Sequence, residues 1–392
     1  MDVLLTGSVH LYKDSDGIFY STTVYDYEFL ERYLKVFDGV KLVGKVRMLD
    51  QKQDLSLKVV SGPGVTIIEF PWYRGIKGMI SKAPSLIRCM LKARSQCDCY
   101  IFRIAQIESF LMFLFRKRKY PYAVEVVNNP KTLEELSKVQ KLINVFLVKR
   151  MIKKASGVSY VTKKSLQADY PARHSAQFVE SYSSVDIKNS DIVLPDDNYE
   201  IHTPLKIVHV SNAIESDGKG HTTLIDALKK VKEKGYQAEV FFVGAGTKVS
   251  EFESYAKNRG IGDSVHFIGR ISGHKDMLDF LKACDLMVFP SKSEGLPRTI
   301  IEAMAVGLPC ISTNVGGIPE LLERRYLFSP LDVEGFATEV CRLIDNPKEL
   351  EEMSRENIKR AKDYSSDVLT ERRTTFYKKL KRCVEEGRKC MQ

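Results

Sequence analysis

Short apolar runs alternate with longer amphipathic stretches along the whole chain. In the first half, Val3–Thr6, Lys41–Val46, Val65–Phe70, Tyr100–Arg103, Tyr122–Val127 and Val158–Thr162 have the length and continuity of buried strands. Between the first two, "YDYEFLERYLKVFDG" sets Phe29, Leu30, Tyr33, Leu34 and Phe37 on one face at helical spacing, and Gly39 is expected to close that helix. Residues 181–205 are rich in Ser, Asp, Asn and Pro, show no period and read as a linker. The alternation then restarts, with strands predicted at Lys206–Val210, Ala238–Val243, Val265–Ile268, Leu286–Phe289, Cys310–Ser312 and Tyr326–Phe328. A helix over Thr222–Lys232 carries Leu224, Ile225, Leu228 and Val231 as one stripe before Gly235 ends it.

This order predicts an α/β protein of two doubly wound parallel-sheet domains, residues 1–180 and 206–365, joined by the linker 181–205. Residues 366–392 read as a final helix that could cross back to the first domain. Ligands of open α/β sheets bind beyond the C-terminal ends of the strands, so a cleft between the two domains is the expected site.

A length of 392 residues agrees with two cores rather than one. Hydrophobic content of 44% and charged content of 28% suit a soluble globular protein, and no run approaches the roughly 18 apolar residues of a membrane span. The N-terminus runs straight into a strand, without the basic lead and apolar core of a secretory signal. Eight cysteines without a CxxC pair are expected to be reduced thiols of a cytoplasmic protein, and Cys97 and Cys99 read as core-strand residues rather than metal ligands. The net charge of +10 is unevenly spread. Residues 51–164 hold 22 Lys/Arg against 7 Asp/Glu, an excess of +15 that leaves −5 for the rest, so one region is suited to an acidic partner.

Candidate chemistry concentrates in "SKSEGLPRTIIEAMAVGLPCISTNVGGIPEL", residues 291–321. Glu294 precedes a helix, and Glu302 sits among Ile300, Ile301, Ala303, Met304 and Ala305, where a charge is costly. Pro297 suits the first turn of that helix, which Gly307 and Pro309 stop. Glu294 and Gly295 thus fall in a loop between the strand Leu286–Phe289 and a helix N-terminus, whose free N–H groups and positive end favour an anion. Gly295 lets a ligand approach the backbone, Thr299 adds a hydroxyl and Arg298 a second charge, and Glu302 can accept from hydroxyls lying along the helix. A phosphate at the helix start and a diol further along describe a nucleotide. The competing reading is a capping Glu294 and a half-exposed Glu302 on an ordinary face.

The block closely resembles the signature of the retaining glycosyltransferases of the GT-B fold, family 4 (group 1 type). Its Glu-x7-Glu motif matches at Glu294 and Glu302, and its GG-x-PE run at Gly316-Gly317 and Pro319-Glu320. Upstream, "IVHVSNAIESDGKGHTTLIDAL" is similar to the family's first strand–loop–helix of the nucleotide domain, with Lys219 matching the lysine that reaches the donor diphosphate and Gly220 opening the helix behind it. A lysine placed there would add its charge to the positive end of that helix. The arginine that most members carry shortly before the lysine is replaced here by Ser211-Asn212. His221, next along, reads as a solvated helix-start residue.

The resemblance implies two Rossmann-like domains and a nucleotide-diphosphate sugar donor, with UDP the expected nucleotide. It implies a donor site of Gly7, Asn212, Lys219, Arg270, Glu294, Gly295, Leu296, Arg298, Thr299 and Glu302. Lys219 and Glu294 would be catalytic, Glu294 holding donor-sugar hydroxyls and Glu302 the ribose diol, with no metal or other cofactor. The acceptor would be a glycan or a lipid-linked glycan of surface polysaccharide or glycolipid synthesis.

The first domain departs from the family. Many members carry a histidine after the fourth strand that touches the donor sugar, whereas here no histidine lies between His10 and His174. Arg103 or Gln106 could take part of that role, and an Arg103–Glu125 pair is the equal alternative. Asp14-Ser15-Asp16 mimics a metal-binding DxD but lies in a polar loop with no strand to place it.

Two other classes fit part of the sequence. A sugar-nucleotide epimerase shares the architecture, and a nucleic-acid-binding protein would explain the basic region but not the Glu-x7-Glu block, so no nucleic-acid partner is expected. The basic region interleaves cations with apolar residues in "RGIKGMISKAPSLIRCMLKARSQ", "ESFLMFLFRKRKYP" and "LINVFLVKRMIKK". That suits a peripheral contact with an anionic membrane at its cytoplasmic face. The alternative is that these apolar faces pack on the sheet while the cations are merely solvated.

Overall fold

The structure, a computed structural model, describes residues 1–49, 57–104, 106–132, 136–195 and 200–387. Parts of the basic region (50–56), the expected linker (196–199) and the final helix (388–392) lie outside the described residues. The first sheet comprises β1 (Asp2–Thr6), β2 (His10–Lys13), β3 (Phe19–Ser21), β4 (Gly39–Met48) and β5 (Lys58–Val59). It continues with β6 (Val65–Pro71), β7 (Cys99–Ile104), β8 (Tyr122–Val126), β9 (Gly157–Tyr160) and β10 (Phe178–Ser181). Its parallel part runs β6-β4-β1-β7-β8-β9-β10. The second sheet holds β11 (Leu205–Ala213), β12 (Ala238–Ala245), β13 (Val265–Gly269), β14 (Leu286–Phe289), β15 (Cys310–Thr313) and β16 (Leu327–Phe328). All its pairings are parallel, in the order β13-β12-β11-β14-β15-β16.

Each sheet therefore starts in its middle, winds to one edge and returns to wind to the other. The winding reverses between β1 and β7 and again between β11 and β14. The loops that leave these strands line the crevice where doubly wound sheets take their ligands.

The helices of the first half are α1 (Tyr27–Leu34), α2 (Gly75–Ser81), α3 (Ala83–Ala93), α4 (Ile107–Phe115), α5 (Lys138–Lys153) and α6 (Ser165–Asp169). Those of the second are α7 (His221–Glu233), α8 (Val249–Asn258), α9 (His274–Lys282), α10 (Arg298–Ala305), α11 (Val333–Ile344), α12 (Pro347–Ala361) and α13 (Ser366–Glu385). Leu86 and Met90 of α3, Phe110 and Phe113 of α4, and Met151 and Ile152 of α5 share one core with Phe102, Val124 and Val158 of the first sheet. The opposite face of that sheet takes α1 and α13, through Leu30, Tyr33, Phe376 and Leu380.

Several local expectations change. The loop after β1 is an antiparallel hairpin, β2–β3, too short for its alternation to show in the sequence. Its turn is held by Asp14, whose carboxylate accepts from the N–H groups of Asp16 and Ile18 and the hydroxyl of Tyr20. The carboxylate that mimicked a metal ligand is therefore a turn residue. Helix α1 starts on an Asp26 cap and stops at Lys35, and Gly39 begins β4 instead of closing the helix. Pro297 occupies the cap position of α10, one residue before its first turn. Of the apolar run Phe110–Phe115, Phe110, Met112 and Phe113 are buried, so for α4 packing on the sheet is the observed arrangement.

One buried polar knot fastens the C-terminal helix to the first sheet. Glu125 on β8 is 2% exposed and accepts from Arg103 Nη1 at 3.0 Å, Tyr33 at 3.1 Å, Tyr182 at 2.9 Å and Tyr377 of α13 at 2.8 Å. Burial opposes the Arg103 charge, yet Tyr25, Tyr33 and Glu125 together hold its pKa well above the ordinary arginine value. Arg103 is thus paired with Glu125. A buried carboxylate is tolerated when every oxygen meets strong donors. The Tyr377 ring also stacks on Tyr33 at 4.8 Å, and Phe376 meets Phe178 edge-on at 5.0 Å.

Removing the carboxylate strands a buried guanidinium and its phenolic neighbours. We expect Glu125→Ala to destabilise the first domain by about 3–5 kcal/mol. Chemical denaturation followed by the fluorescence of Trp72, the single tryptophan, measures it. A loss below about 1 kcal/mol, the net value of one ordinary hydrogen bond, would show that Glu125 does not anchor the knot.

Candidate active site

Two loops from neighbouring strands build the site. The loop after β11 carries Lys219, and Gly220 follows with φ +78°; a Cβ there would lie 2.1 Å from the Pro290 carbonyl, so only glycine fits. The loop after β14 carries Ser291, Lys292 and Glu294. Lys292 ties the two together: its N–H donates to the Gly218 carbonyl at 2.9 Å and its Nζ to Asp217 at 2.9 Å. Asp217 also accepts from the N–H and hydroxyl of Thr222, which caps the start of α7. Burial alone would raise the Asp217 pKa, but the Thr222 bonds and Lys292 hold it below the usual carboxylate value.

Between these loops Lys219 Nζ lies 2.5 Å from Glu294 Oε1, and Ser291 Oγ donates to the same oxygen at 2.7 Å. The Glu294 side chain is 10% exposed and that of Lys219 37%, so the pair sits at the wall of the cleft with the ammonium outward. The two helix N-termini differ. That of α7, expected to reinforce Lys219, is already answered by the Asp217 carboxylate. No side chain caps α10. The positive end beside Lys219 is therefore that of α10, with Arg298 and Thr299 half-buried in its first turn. Further along α10, Glu302 makes no hydrogen bond to any described residue. Burial pushes its carboxyl pKa up, against the charges of Arg298 and His274.

The first domain closes against this loop. A Cβ on Gly295 would come within 2.4 Å of the Val127 carbonyl, and Ser293 Oγ bonds Thr132 Oγ1 at 2.7 Å. The close approach expected of a ligand at Gly295 is made here by the backbone of the first domain. Behind it, the Gly317 N–H donates to the Gly295 carbonyl at 2.6 Å. Glu320 of the same glycine-rich run accepts from the N–H groups of Lys164 at 3.0 Å and Ser165 at 2.7 Å, and from that of Lys163, at the start of α6. The GG-x-PE run is thus a brace between domains.

Of the expected donor residues, Lys219, Glu294, Gly295, Arg298, Thr299 and Glu302 are brought together on the two loops and α10. Leu296 contributes backbone, since its side chain is in the core. Asn212, near the C-terminal end of β11, and Arg270, just past β13, are exposed and make no hydrogen bond to the Lys219–Glu294 pair. Gly7 is buried at the end of β1 against the Tyr25 hydroxyl. Sequence reasoning missed Lys292, Ser291 and the bracing role of Glu320. A cation two residues before Glu294 in "SKSEG" was the available signal.

Residues 196–360 match the family model of glycosyl transferases group 1. The fold matches that of Anabaena HepE, solved in complex with UDP and glucose, over 98% of this chain and 100% of that one, with a TM-score of 0.65 and 17% identity. The chain has the two-domain GT-B fold and resembles glycosyltransferases over its second half. Among curated proteins it is similar to Protein CapJ of Staphylococcus aureus, 27% identical over 383 residues, or 95% of this chain and 94% of CapJ. It is also 29% identical over 184 residues to the N-acetyl-alpha-D-glucosaminyl L-malate synthase of Bacillus anthracis, covering 45% of this chain and 46% of that enzyme.

Beneath the Lys219 loop lies a pair of buried histidines. His221, expected at the surface, is fully buried and stacks on Phe252 at 4.8 Å, while His209 meets it edge-on at 4.8 Å. Neither ring nitrogen of His221 has a hydrogen-bond partner. Burial drives its pKa down to about 4; Asp217 opposes the shift and Lys219 assists it. His209 is depressed further by burial and by His221. Unfolding returns both imidazoles to about 6.5. The unfolded chain therefore binds more protons below that pH, and stability present above about 6.5 is lost as pH falls toward 4. The shift of His221 alone corresponds to a loss of about 3 kcal/mol across that window. Thermal melts at neutral and at acid pH should show the fall, and His221→Phe should flatten it. An equal slope in the variant would place the acid sensitivity elsewhere.

Proposed function

We propose that the chain is a retaining glycosyltransferase that moves a sugar from a UDP-sugar to a hydroxyl of a glycan or lipid-linked acceptor, in surface polysaccharide or glycolipid synthesis on the cytoplasmic side. The observation that carries this reading is the contact of Lys219 with Glu294 beside the uncapped end of α10, with the unpartnered Glu302 further along that helix. Glu294, then the cation with the helix end, then the second carboxylate follow the order sugar, diphosphate, ribose of such a donor. The UDP and glucose bound by the similarly folded HepE support UDP as the nucleotide, and the B. anthracis relative supports a glycosidic product.

In this reading the bond from the anomeric carbon to the diphosphate oxygen breaks as Lys219 leaves Glu294 for the phosphate. Lys219, the α10 N–H groups and Arg298 then stabilise the charge on the departing diphosphate, and Glu294 accepts from donor-sugar hydroxyls. The acceptor hydroxyl attacks from the face the diphosphate leaves, and its proton passes to a leaving phosphate oxygen. These preplaced cations supply the neutralisation that a metal would otherwise give.

A thermal-shift panel of UDP, GDP, dTDP, ADP and CMP tests the donor class. UDP at about 100 times its dissociation constant should stabilise the protein by roughly 2.7 kcal/mol. Glu302→Gln should weaken UDP binding on the order of ten- to a hundredfold, because a hydrogen bond to a charged group is worth roughly 1.5–3 kcal/mol. Unchanged UDP affinity in a folded variant would remove Glu302 from the nucleotide site. In an assay of UDP release that requires an acceptor, Lys219→Ala should lower turnover by at least about a hundredfold, whereas a chelator should leave the wild type active. Loss of activity on chelation, restored by Mg²⁺ or Mn²⁺, would assign the diphosphate to a metal.

A further inference from the structure

Nine of the 16 large apolar side chains exposed among the described residues lie on α2–α5, the helices covering one face of the first sheet. The densest group is on α5. Val139, Leu142, Ile143 and Phe146 follow one another at helical spacing and are 65%, 71%, 52% and 63% exposed. The opposite side of the same helix, Val148, Met151 and Ile152, is buried on the sheet. Helix α5 is therefore apolar on two sides, and packing accounts for only one of them.

The exposed charges on the described residues of α2–α5 have one sign. Lys77, Lys82, Arg88 and Lys92 on or between α2 and α3, and Lys149, Arg150 and Lys153 on α5, are exposed. None of these forms an ion pair among the described residues. The only carboxylate within α2–α5 is Glu108, which is 2% exposed and turned inward to Tyr73 and Lys45. Two copies of such a face would set like charges against each other. A nucleic acid would answer the cations and leave the aliphatic stripe in water. A surface that is apolar in depth and anionic above matches both.

We propose that the outer face of α2–α5 docks on an anionic lipid bilayer, with Val139, Leu142, Ile143 and Phe146 inserted at the headgroup boundary. This deepens the lipid-linked branch of the function proposed above and rests on it for the identity of the acceptor. Position in the fold supports the link. Helix α5 is preceded by the loop from Val127 to Thr132 that touches Gly295 and Ser293. The exposed apolar residues of α5 lie in its first half, at the cleft end, with Lys138 exposed beside them and Lys149, Arg150 and Lys153 further from the cleft. A lipid-linked acceptor held by its tail beside α5 would present its head group at the cleft mouth.

The test is co-sedimentation of the full chain with vesicles of phosphatidylcholine containing about 30% phosphatidylglycerol, an anionic fraction sufficient to draw polybasic surfaces. Wild type should pellet with them at low salt, stay in the supernatant with phosphatidylcholine alone, and be released as salt is raised. The double variant Leu142→Glu with Phe146→Glu, at sites already exposed, should lose at least about tenfold of the partition coefficient. Its thermal shift with UDP should stay that of the wild type, so a failed docking surface is told apart from a failed donor site. Wild type remaining in the supernatant at low salt would overturn the proposal. So would undiminished vesicle binding by the double variant, or a concentration-dependent dimer that the variant abolishes, which would assign the stripe to a second copy.

Discussion

A lysine ammonium held against a glutamate carboxylate, at the point where two strand-exit loops and a second domain converge, is the contact on which the rest of this protein depends. It exists because β11 and β14 are neighbours at the reversal of a doubly wound sheet, which brings Lys219 and Glu294 together from positions 75 residues apart. Lys292 and Asp217 fix the spacing of the two loops, and Ser291 fixes the carboxylate. In this state each charge neutralises the other. In the proposed reaction an incoming phosphate would compete with Glu294 for the ammonium, and the freed carboxylate would accept from sugar hydroxyls. On that proposal one interaction keeps both groups in place until substrate replaces it.

The two domains are held to this site from both ends of the chain. Glu320, on the turn behind Glu294, sits on the N-terminus of α6 in the first domain. Helix α13, after the last element of the second domain, returns to the first and inserts Tyr377 into the knot around Glu125. Glu320 gathers its donors from the other domain, whereas Glu125 adds one donor from α13, Tyr377, to three from its own half of the chain. Geometry at the cleft is therefore governed by polar contacts whose loss is costly, while apolar burial within each sheet gives the domains their separate stability.

Much of this was legible in the sequence, because fully buried parallel strands leave continuous apolar runs. Leu286–Phe289 was read to the residue, and the stripe of α7 and its stop at Gly235 stand as expected. What escaped was set by long-range partners. The hairpin of β2 and β3 looks polar because one of its faces is partly solvated, and the turn at Asp14 resembles a ligand motif until its hydrogen bonds are seen. Which helix end is left uncapped beside Lys219 could not be read from spacing, since it depends on Asp217 folding back onto Thr222. Likewise the cation-rich helices read as uniformly interfacial, and only packing separates the buried Phe110 and Phe113 from the exposed Leu142 and Phe146.

The most direct test of the account is a crystal structure of the protein soaked with UDP. The account predicts the diphosphate at the first turn of α10, Lys219 Nζ turned from Glu294 onto a phosphate oxygen, and the ribose diol against Glu302. UDP bound elsewhere, with the Lys219–Glu294 pair intact, would contradict it.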